Sequence, residues 1–264
     1  MMGYMSVYKA TLLNILSRLP AGLLRWVLPH RFVLYGHLIS DRDDCMASSR
    51  YRYPTFAAFE LFYNLAERIG YHFVTLEEYF AGKWPRMILL TFDDGFAEVR
   101  EFHLRTNLPF ALFIVTDALK IPEFGLGVFD PQAEAFLSRT DIIKLKQAGV
   151  HIGFHTRSHK RIETLSDLAG ESMPPDQYMD LISSPKCFAY PFIGPVDYAP
   201  VSDALFAAGY AYVFDTKSRA GADGRHVFRI SMDRELTDRS ENQIFINVIE
   251  ATLSRYKKLF RRNK

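Results

Sequence analysis

The feature that most constrains the fold of this chain is the alternation of short apolar runs with longer helix patterns. Apolar residues at three- and four-residue spacing predict a helix over residues 53–71, closed by Gly70, and another over residues 140–150, capped by Thr140 or Asp141. Strands separated by such helices are typical of βα units, which build a parallel sheet or a barrel. The predicted strands are RFVLYGHLI (31–39), RMILLTF (86–92), FALFIVTD (110–117), HIGF (151–154), CFAYPF (187–192), AYVFDT (211–216) and HVFRISM (226–232).

Length and composition fit one α/β domain with short extensions. A chain of 264 residues that is 48% hydrophobic can bury a large core. We predict a domain over residues 31–240, preceded by an amphipathic extension over residues 1–30 and followed by a basic helix over residues 241–264. The net charge of +2 does not indicate nucleic-acid binding. Cys45 and Cys187 provide no disulfide framework, which suits a reducing compartment.

The two ends of the sequence differ from the middle. Residues 4–19 follow an amphipathic helix pattern, and residues 254–264 contain six Lys or Arg and no acid. A basic amphipathic end can lie on an anionic membrane surface or remain a solvated helix, and both interpretations stay open. No apolar run is long enough to span a membrane, and no secretory signal pattern is evident, so we expect a cytoplasmic location.

Chemically reactive side chains follow two of the predicted strands. Asp93 and Asp94 come directly after RMILLTF, and His155 and His159 begin and end the segment HTRSH after HIGF. Because the carboxyl ends of parallel strands share one edge, these groups are expected to lie close together. Histidines four residues apart would share one face of a helical turn. Two histidines and one carboxylate form a metal site with open positions, typical of catalytic ions.

The adjacent aspartates are expected to have different tasks. Neighbouring side chains on an extended chain point apart, so the two carboxylates do not serve one ion equally. One can bind the metal while the other removes a proton from an attacking water. This division of tasks predicts a metal-assisted hydrolase.

The motifs TFDDG and HTRSH together resemble the polysaccharide deacetylase family, also called the NodB-homology or carbohydrate esterase 4 family. The segments FAYPF and GYAYVFDT also match, and the resemblance covers roughly residues 32–232. It implies a distorted (β/α)7 barrel of the NodB-homology type, here with helical N- and C-terminal extensions. It also implies removal of N-acetyl, sometimes O-acetyl, groups from glycans.

The resemblance further implies roles for single residues. Asp93 resembles the catalytic base, and Asp94, His155 and His159 resemble the metal ligands. The backbone N–H of Phe192 in FAYPF would help to stabilise the oxyanion. The side chains of Tyr190 and Phe192 are candidates for stacking on sugar rings, although such aromatic residues more often pack in a core.

The sequence departs from the family pattern at the residue that orients the base. The usual arginine of the third motif is Ala189 here. Relatives of the FAYPF type carry an arginine late in the chain, and Arg229 stands where it would be expected. An arginine paired with Asp93 would hold the pKa of that carboxyl down. A structural ion pair is the alternative interpretation of Arg229.

The family's late histidine, the usual general acid, has no counterpart after Arg229. His37 is the alternative, because VLYGHLISD resembles the family's early YH signature, although Gly36 separates Tyr35 from His37. A structural histidine is the competing interpretation. We interpret the remaining histidines His30, His72, His103 and His151 as structural.

We therefore predict a metal-dependent enzyme that removes N-acetyl groups from an amino sugar in a polysaccharide, oligosaccharide or lipid-linked glycan. One divalent ion is implied, with zinc expected first and cobalt, nickel or manganese able to use the same ligands. The segment 160–186 is short for the family, and Ile193 follows Phe192, so the substrate preference can differ from that of chitin-like glycans. The alternatives are an O-acetyl esterase, a hydrolase of a small amide, and a non-catalytic glycan-binding protein.

Overall fold

The computed structural model of the protein describes residues 20–42, 53–119, 136–217, 224–233, 244 and 247–254. The predicted amphipathic helix over residues 4–19, nearly all of the basic segment 254–264, and Cys45 lie outside these residues.

Seven parallel strands close into a barrel. Around the ring β1 pairs with β8, and the sheet continues through β7, β6, β5 and β4 to β3, which pairs with β1 again. The two residues of β2 pair only with the start of β3. The strands are β1 Arg31–Gly36, β2 His72–Phe73, β3 Met87–Phe92, β4 Phe110–Ile114, β5 His151–Phe154, β6 Cys187–Ala189, β7 Tyr212–Asp215 and β8 His226–Ser231. The predicted (β/α)7 barrel is confirmed.

Helices lie between the strands. In the described residues they are α1 Ala21–Val27, α2 Phe56–Ile69, α3 Leu76–Ala81, α4 Glu98–Thr106, α5 Arg139–Gln147, α6 Leu165–Leu168 and α7 Tyr198–Ala207, with 3-10 turns at Asp117–Leu119 and Asp176–Leu181. Residues 247–254 are also helical. None of the helices in this part of the chain is long and apolar enough to cross a bilayer.

Alternation along the strands separates two apolar layers. Val33, Leu89 and Phe113 belong to a cluster made of alternate residues from successive strands, which is the barrel interior. The residues between them, such as Leu34 and Leu90, pack outward in a larger cluster with α2 and α4. Because both faces of each strand are buried, the strands appear in the sequence as near-continuous apolar runs.

The observed ends of the helices and strands agree with the sequence prediction at one point and differ from it at two. Helix α2 ends at Gly70 as predicted, with a positive φ of 92°. The predicted cap of α5 at Thr140 or Asp141 is wrong, because Ser138 caps the helix and Asp141 completes a capping box three residues later. The strand predicted over residues 187–192 stops at Ala189.

Candidate functional site

The carboxyl ends of β3 and β5 bring the predicted metal ligands together. Asp94 follows β3, and His155 and His159 follow β5. Each offers one ligand atom, and these atoms all lie within 4.8 Å of one another. Asp94 Oδ1 is 3.5 Å from His155 Nε2 and 3.2 Å from His159 Nε2. These three side chains are up to 65 residues apart in the sequence, and the fold brings them close enough to bind one ion.

The chemistry of these three donors fits a divalent metal ion. The Nδ1 atom of His155 lies 2.9 Å from the backbone oxygen of Ala189, so a proton on Nδ1 leaves the Nε2 lone pair free for a metal. Burial lowers the pKa of His155 to about 4, which keeps the imidazole neutral, as a ligand must be. Two imidazole nitrogens and one carboxylate form a typical catalytic ligand set.

The backbone around the ligands adopts unusual conformations. Asp94, Thr156, His159 and Phe192 all have positive φ angles, between 59° and 69°. Such angles are uncommon outside glycine and cluster at functional sites. The expected helical turn over residues 155–159 is absent. The chain bends at Arg157 and Ser158, between the positive φ angles of Thr156 and His159, and the centroids of the two imidazole rings lie 5.3 Å apart.

Asp93 lies next to this cluster and pairs with Arg229 on β8. The guanidinium donates two hydrogen bonds to the carboxylate, of 2.6 and 2.8 Å, and both side chains are buried. Arg229 is held between the rings of Tyr35 and Phe113, whose centroids are 4.8 and 5.4 Å from its guanidinium carbon. Burial is the largest single influence on the pKa of Asp93 and would raise it, but the charge and hydrogen bonds of Arg229, together with the nearby His155 and His37, lower the pKa overall.

The departure at the third motif has a structural explanation. Ala189 is small and belongs to the barrel interior, while Arg229 enters that interior from β8. The pairing with Asp93 that the sequence predicted for Arg229 is present in the structure. Whether this pair serves catalysis stays a prediction.

His37 lies on the opposite side of the cluster, after β1. Its Nε2 atom is 3.8 Å from Asp94 Oδ2, and its Nδ1 atom hydrogen-bonds the carboxylate of Asp233. Burial is the largest single influence on the pKa of His37 and would lower it, but the carboxylate of Asp233, together with those of Asp94 and Asp93, raises the pKa to about 9. The structure therefore places His37 within the site, and its role as general acid stays a prediction.

Sequence reasoning missed Asp233. The residue directly follows the last predicted strand, so the rule that directed attention to the other strand ends applies to it as well. Gly36, which departs from the family's YH signature, lies beside this contact. A Cβ atom at Gly36 would lie 3.0 Å from Asp233 Oδ1 and 3.0 Å from Met232 Cε.

The two predicted aromatic contacts have different positions. Phe192 is 50% exposed, and its ring centroid lies 4.9 Å from that of His159. Tyr190 is 1% exposed and its hydroxyl lies 3.1 Å from Ser202 Oγ, so its ring does not reach the surface. The substrate contact assigned to both stays a prediction, and Phe192 is the one placed for it.

Two of the histidines that the sequence analysis interprets as structural lie at the amino-terminal ends of strands. His151 begins β5, and its Nδ1 atom is 3.4 Å from Glu77 Oε1. His72 begins β2 and stacks on Trp84 at a centroid distance of 4.3 Å. Both are separated from the metal ligands by the length of a strand.

Comparison with known proteins identifies similar folds among solved structures. No family model and no curated protein matches the sequence. A Streptococcus pyogenes deacetylase, PplD, solved in complex with acetate, has a TM-score of 0.60 at 16% identity, over 84% of this chain and 99% of that one. A polysaccharide deacetylase from Bacillus cereus gives 0.58 at 17% identity, over 84% of this chain and 69% of that one.

A third similar structure is a de-N-acetylase from Aggregatibacter actinomycetemcomitans. It has a TM-score of 0.56 at 19% identity, over 75% of this chain and 93% of that one. Each of these similarities covers at least 75% of this chain. The chain therefore has the fold of the polysaccharide deacetylases, which is the fold that its motifs predict.

Proposed function

We propose that this protein is a metal-dependent hydrolase that removes N-acetyl groups from an amino sugar in a polysaccharide, oligosaccharide or lipid-linked glycan. The observation that carries the proposal is the different placement of two adjacent carboxylates. The ligand atoms of Asp94, His155 and His159 lie within 4.8 Å of one another. Asp93, in contrast, lies beside them and is held by hydrogen bonds from Arg229. One carboxylate is thus available as a ligand and the other as a base.

The ligand set assigns the place of the cofactor. Asp94, His155 and His159 would hold one divalent ion, with zinc expected first and cobalt, nickel or manganese compatible with the same donors. When bound, such an ion supplies Lewis acidity toward the acetyl carbonyl and toward water. The names of the similar structures, deacetylase and de-N-acetylase, support the proposed reaction.

The side chains around the ligands would move the protons. Asp93 would accept a proton from the attacking water, and Arg229 keeps that carboxylate ionised and fixes its orientation. The N–H of Phe192 would donate a hydrogen bond to the acetyl oxygen as negative charge develops there. His37, protonated and oriented by Asp233, would donate a proton to the leaving amine. The products are acetate and a free amino sugar.

The first experiment is metal analysis of the purified protein beside His155→Ala and Asp94→Ala. We expect one ion per chain in the wild type and its loss in both variants. His151→Ala is a matched control, because His151 is a buried histidine at the other end of the same strand. A wild type that stays empty after incubation with zinc, cobalt, nickel and manganese would contradict the proposal.

The second experiment measures acetate release from N-acetylated oligosaccharides, O-acetylated sugars and small acetamides. Release from the amino sugars supports the proposed reaction. Release from the esters or the small amides alone would instead support one of the other hydrolases that this geometry allows. A glycan-binding protein would release nothing and would bind glycan equally well after Asp93→Asn.

A further inference from the structure

Helix α1 carries two large apolar side chains that the described part of the chain does not cover. Trp26 is 88% exposed and Leu23 is 53% exposed. Residues three apart lie on one face of a helix, so the two side chains form one patch. Leu24 and Leu28 are buried and join the main core. Scattered exposed leucines are ordinary, but an almost fully exposed tryptophan next to a leucine marks an interaction surface.

The patch is held in place by the barrel. The guanidinium of Arg86, the residue before β3, hydrogen-bonds the backbone oxygen of Arg25. The backbone N–H of Met87 donates to the oxygen of His30, at 3.0 Å. These contacts fix the end of α1 where β3 begins. The exposure of Trp26 is therefore not the fraying of a free helix end.

The sequence that contains this patch carries charge of one sign. Residues 1–40 contain Lys9, Arg18, Arg25 and Arg31 and no aspartate or glutamate, although the whole chain has 30 acids in 264 residues. Leu12, Leu16 and Leu19 precede Leu23 and Trp26 at the same three- and four-residue spacing in the sequence. Exposed Trp and Leu with basic residues and no acid are the composition of segments that lie in the interface of an anionic bilayer.

We propose that the Leu23–Trp26 face of α1 docks on an anionic phospholipid surface. Trp26 and Leu23 enter the headgroup boundary, and the neighbouring cations contact lipid phosphates. Strand β3 starts beside α1 and ends at Phe92, the residue before Asp93, and its six residues span about 20 Å. The docking face and the candidate site thus lie at opposite ends of the barrel, so membrane contact leaves the site open and does not depend on the proposed reaction.

Tryptophan fluorescence tests this directly, because the chain has two tryptophans. Trp84→Phe leaves Trp26 as the single reporter. We expect its emission to shift to shorter wavelength with phosphatidylglycerol vesicles, with little change for phosphatidylcholine vesicles, and brominated lipid to quench it. No shift with either lipid, or an equal shift with both, would overturn the proposal. So would emission that is already short without lipid, which would mean that a second copy or another part of the chain covers the patch.

A sedimentation experiment with phosphatidylglycerol vesicles supplies the matched control. The double variant Leu23→Ser/Trp26→Ser is expected to bind at least about tenfold more weakly, because the apolar anchor is lost. Leu104→Ser removes a leucine that is 76% exposed on α4 and is expected to bind like the wild type. Equal weakening in both variants, or none in the double variant, would overturn the proposal. Metal content of the double variant should match the wild type, which separates this result from any failure of the proposed reaction.

Discussion

On the β5 side of the candidate site, His155 points Nδ1 at a backbone carbonyl and Nε2 toward Asp94, and burial lowers its pKa to about 4. On the β1 side, His37 points Nδ1 at the carboxylate of Asp233. Burial would lower its pKa too, but this carboxylate, with those of Asp94 and Asp93, raises it to about 9. Both histidines follow strands of one barrel and both approach Asp94.

The difference between the two sides comes from the group behind each ring. A carbonyl oxygen orients an imidazole without adding charge, so the buried ring stays neutral and can bind a metal. A carboxylate adds a full negative charge and stabilises the imidazolium, which can donate a proton. The partner therefore decides whether a histidine at this site is equipped as a ligand or as an acid.

Replacing each histidine by glutamine is the most direct test of this difference between His155 and His37. Both His155→Gln and His37→Gln are expected to lower deacetylation by about 10²–10⁴-fold, the range for loss of a proton donor or more. Metal content should distinguish them, because only His155→Gln removes a ligand. Loss of metal in His37→Gln would contradict the assignment of the two sides.

The Arg229–Asp93 pair, which lies between the two sides, is expected to dominate stability. Arg229→Met leaves a buried carboxylate without its partner and should lower the free energy of unfolding of the metal-free protein by about 3–5 kcal/mol. The double variant Asp93→Asn/Arg229→Met removes both charges and should recover most of that loss, as measured by urea unfolding. If the single and the double variant are equally unstable, the loss comes from packing around Tyr35 and Phe113 instead.

The sequence allowed prediction of the parts of the fold and site that follow from strand ends and from motif spacing. The barrel, the convergence of Asp94, His155 and His159, and the pairing of Arg229 with Asp93 were predicted. Asp233 was not, because its contact with His37 joins residues that are 196 positions apart in the sequence. The bend within residues 155–159 was also missed. The positive φ angles there belong to Thr156 and His159, and a sequence without glycine at these positions does not predict such angles.

Asp233→Asn should make the environment of His37 resemble that of His155, because it removes the negative charge behind the imidazole ring. The substitution removes the strongest of the negative charges that raise the pKa of His37, so that pKa falls. The alkaline limb of the pH profile of kcat/KM is then expected to move to lower pH, with kcat reduced about tenfold at neutral pH. Asp180→Asn, which alters an exposed carboxylate that pairs with Arg139, is the control and should leave the profile unchanged. A lower kcat with an unmoved profile would mean that Asp233 only supports the fold.

The smallest effect, and the one that tests both histidines together, is the pH dependence of stability in the metal-free protein. The pKa of His155 is about 4 when folded against an ordinary value of 6.5, so its contribution is complete above about pH 6.5 and is lost as the pH falls toward 4. The pKa of His37 is about 9, so its contribution is complete below about pH 6.5 and is lost as the pH rises through 9. Stability should therefore decline in both directions from near neutral pH.

Glutamine variants assign the two declines. His155→Gln is expected to flatten the acid side by about 1–2 kcal/mol, and His37→Gln the alkaline side by a similar amount, in chemical unfolding series between pH 4 and 9. Some acid slope should remain in His155→Gln, because burial also lowers the pKa of His151. Flattening of the same side by both variants would mean that the two rings share one electrostatic environment. The opposite result, one side for each variant, would show that the barrel holds one histidine neutral and the other charged around a single aspartate.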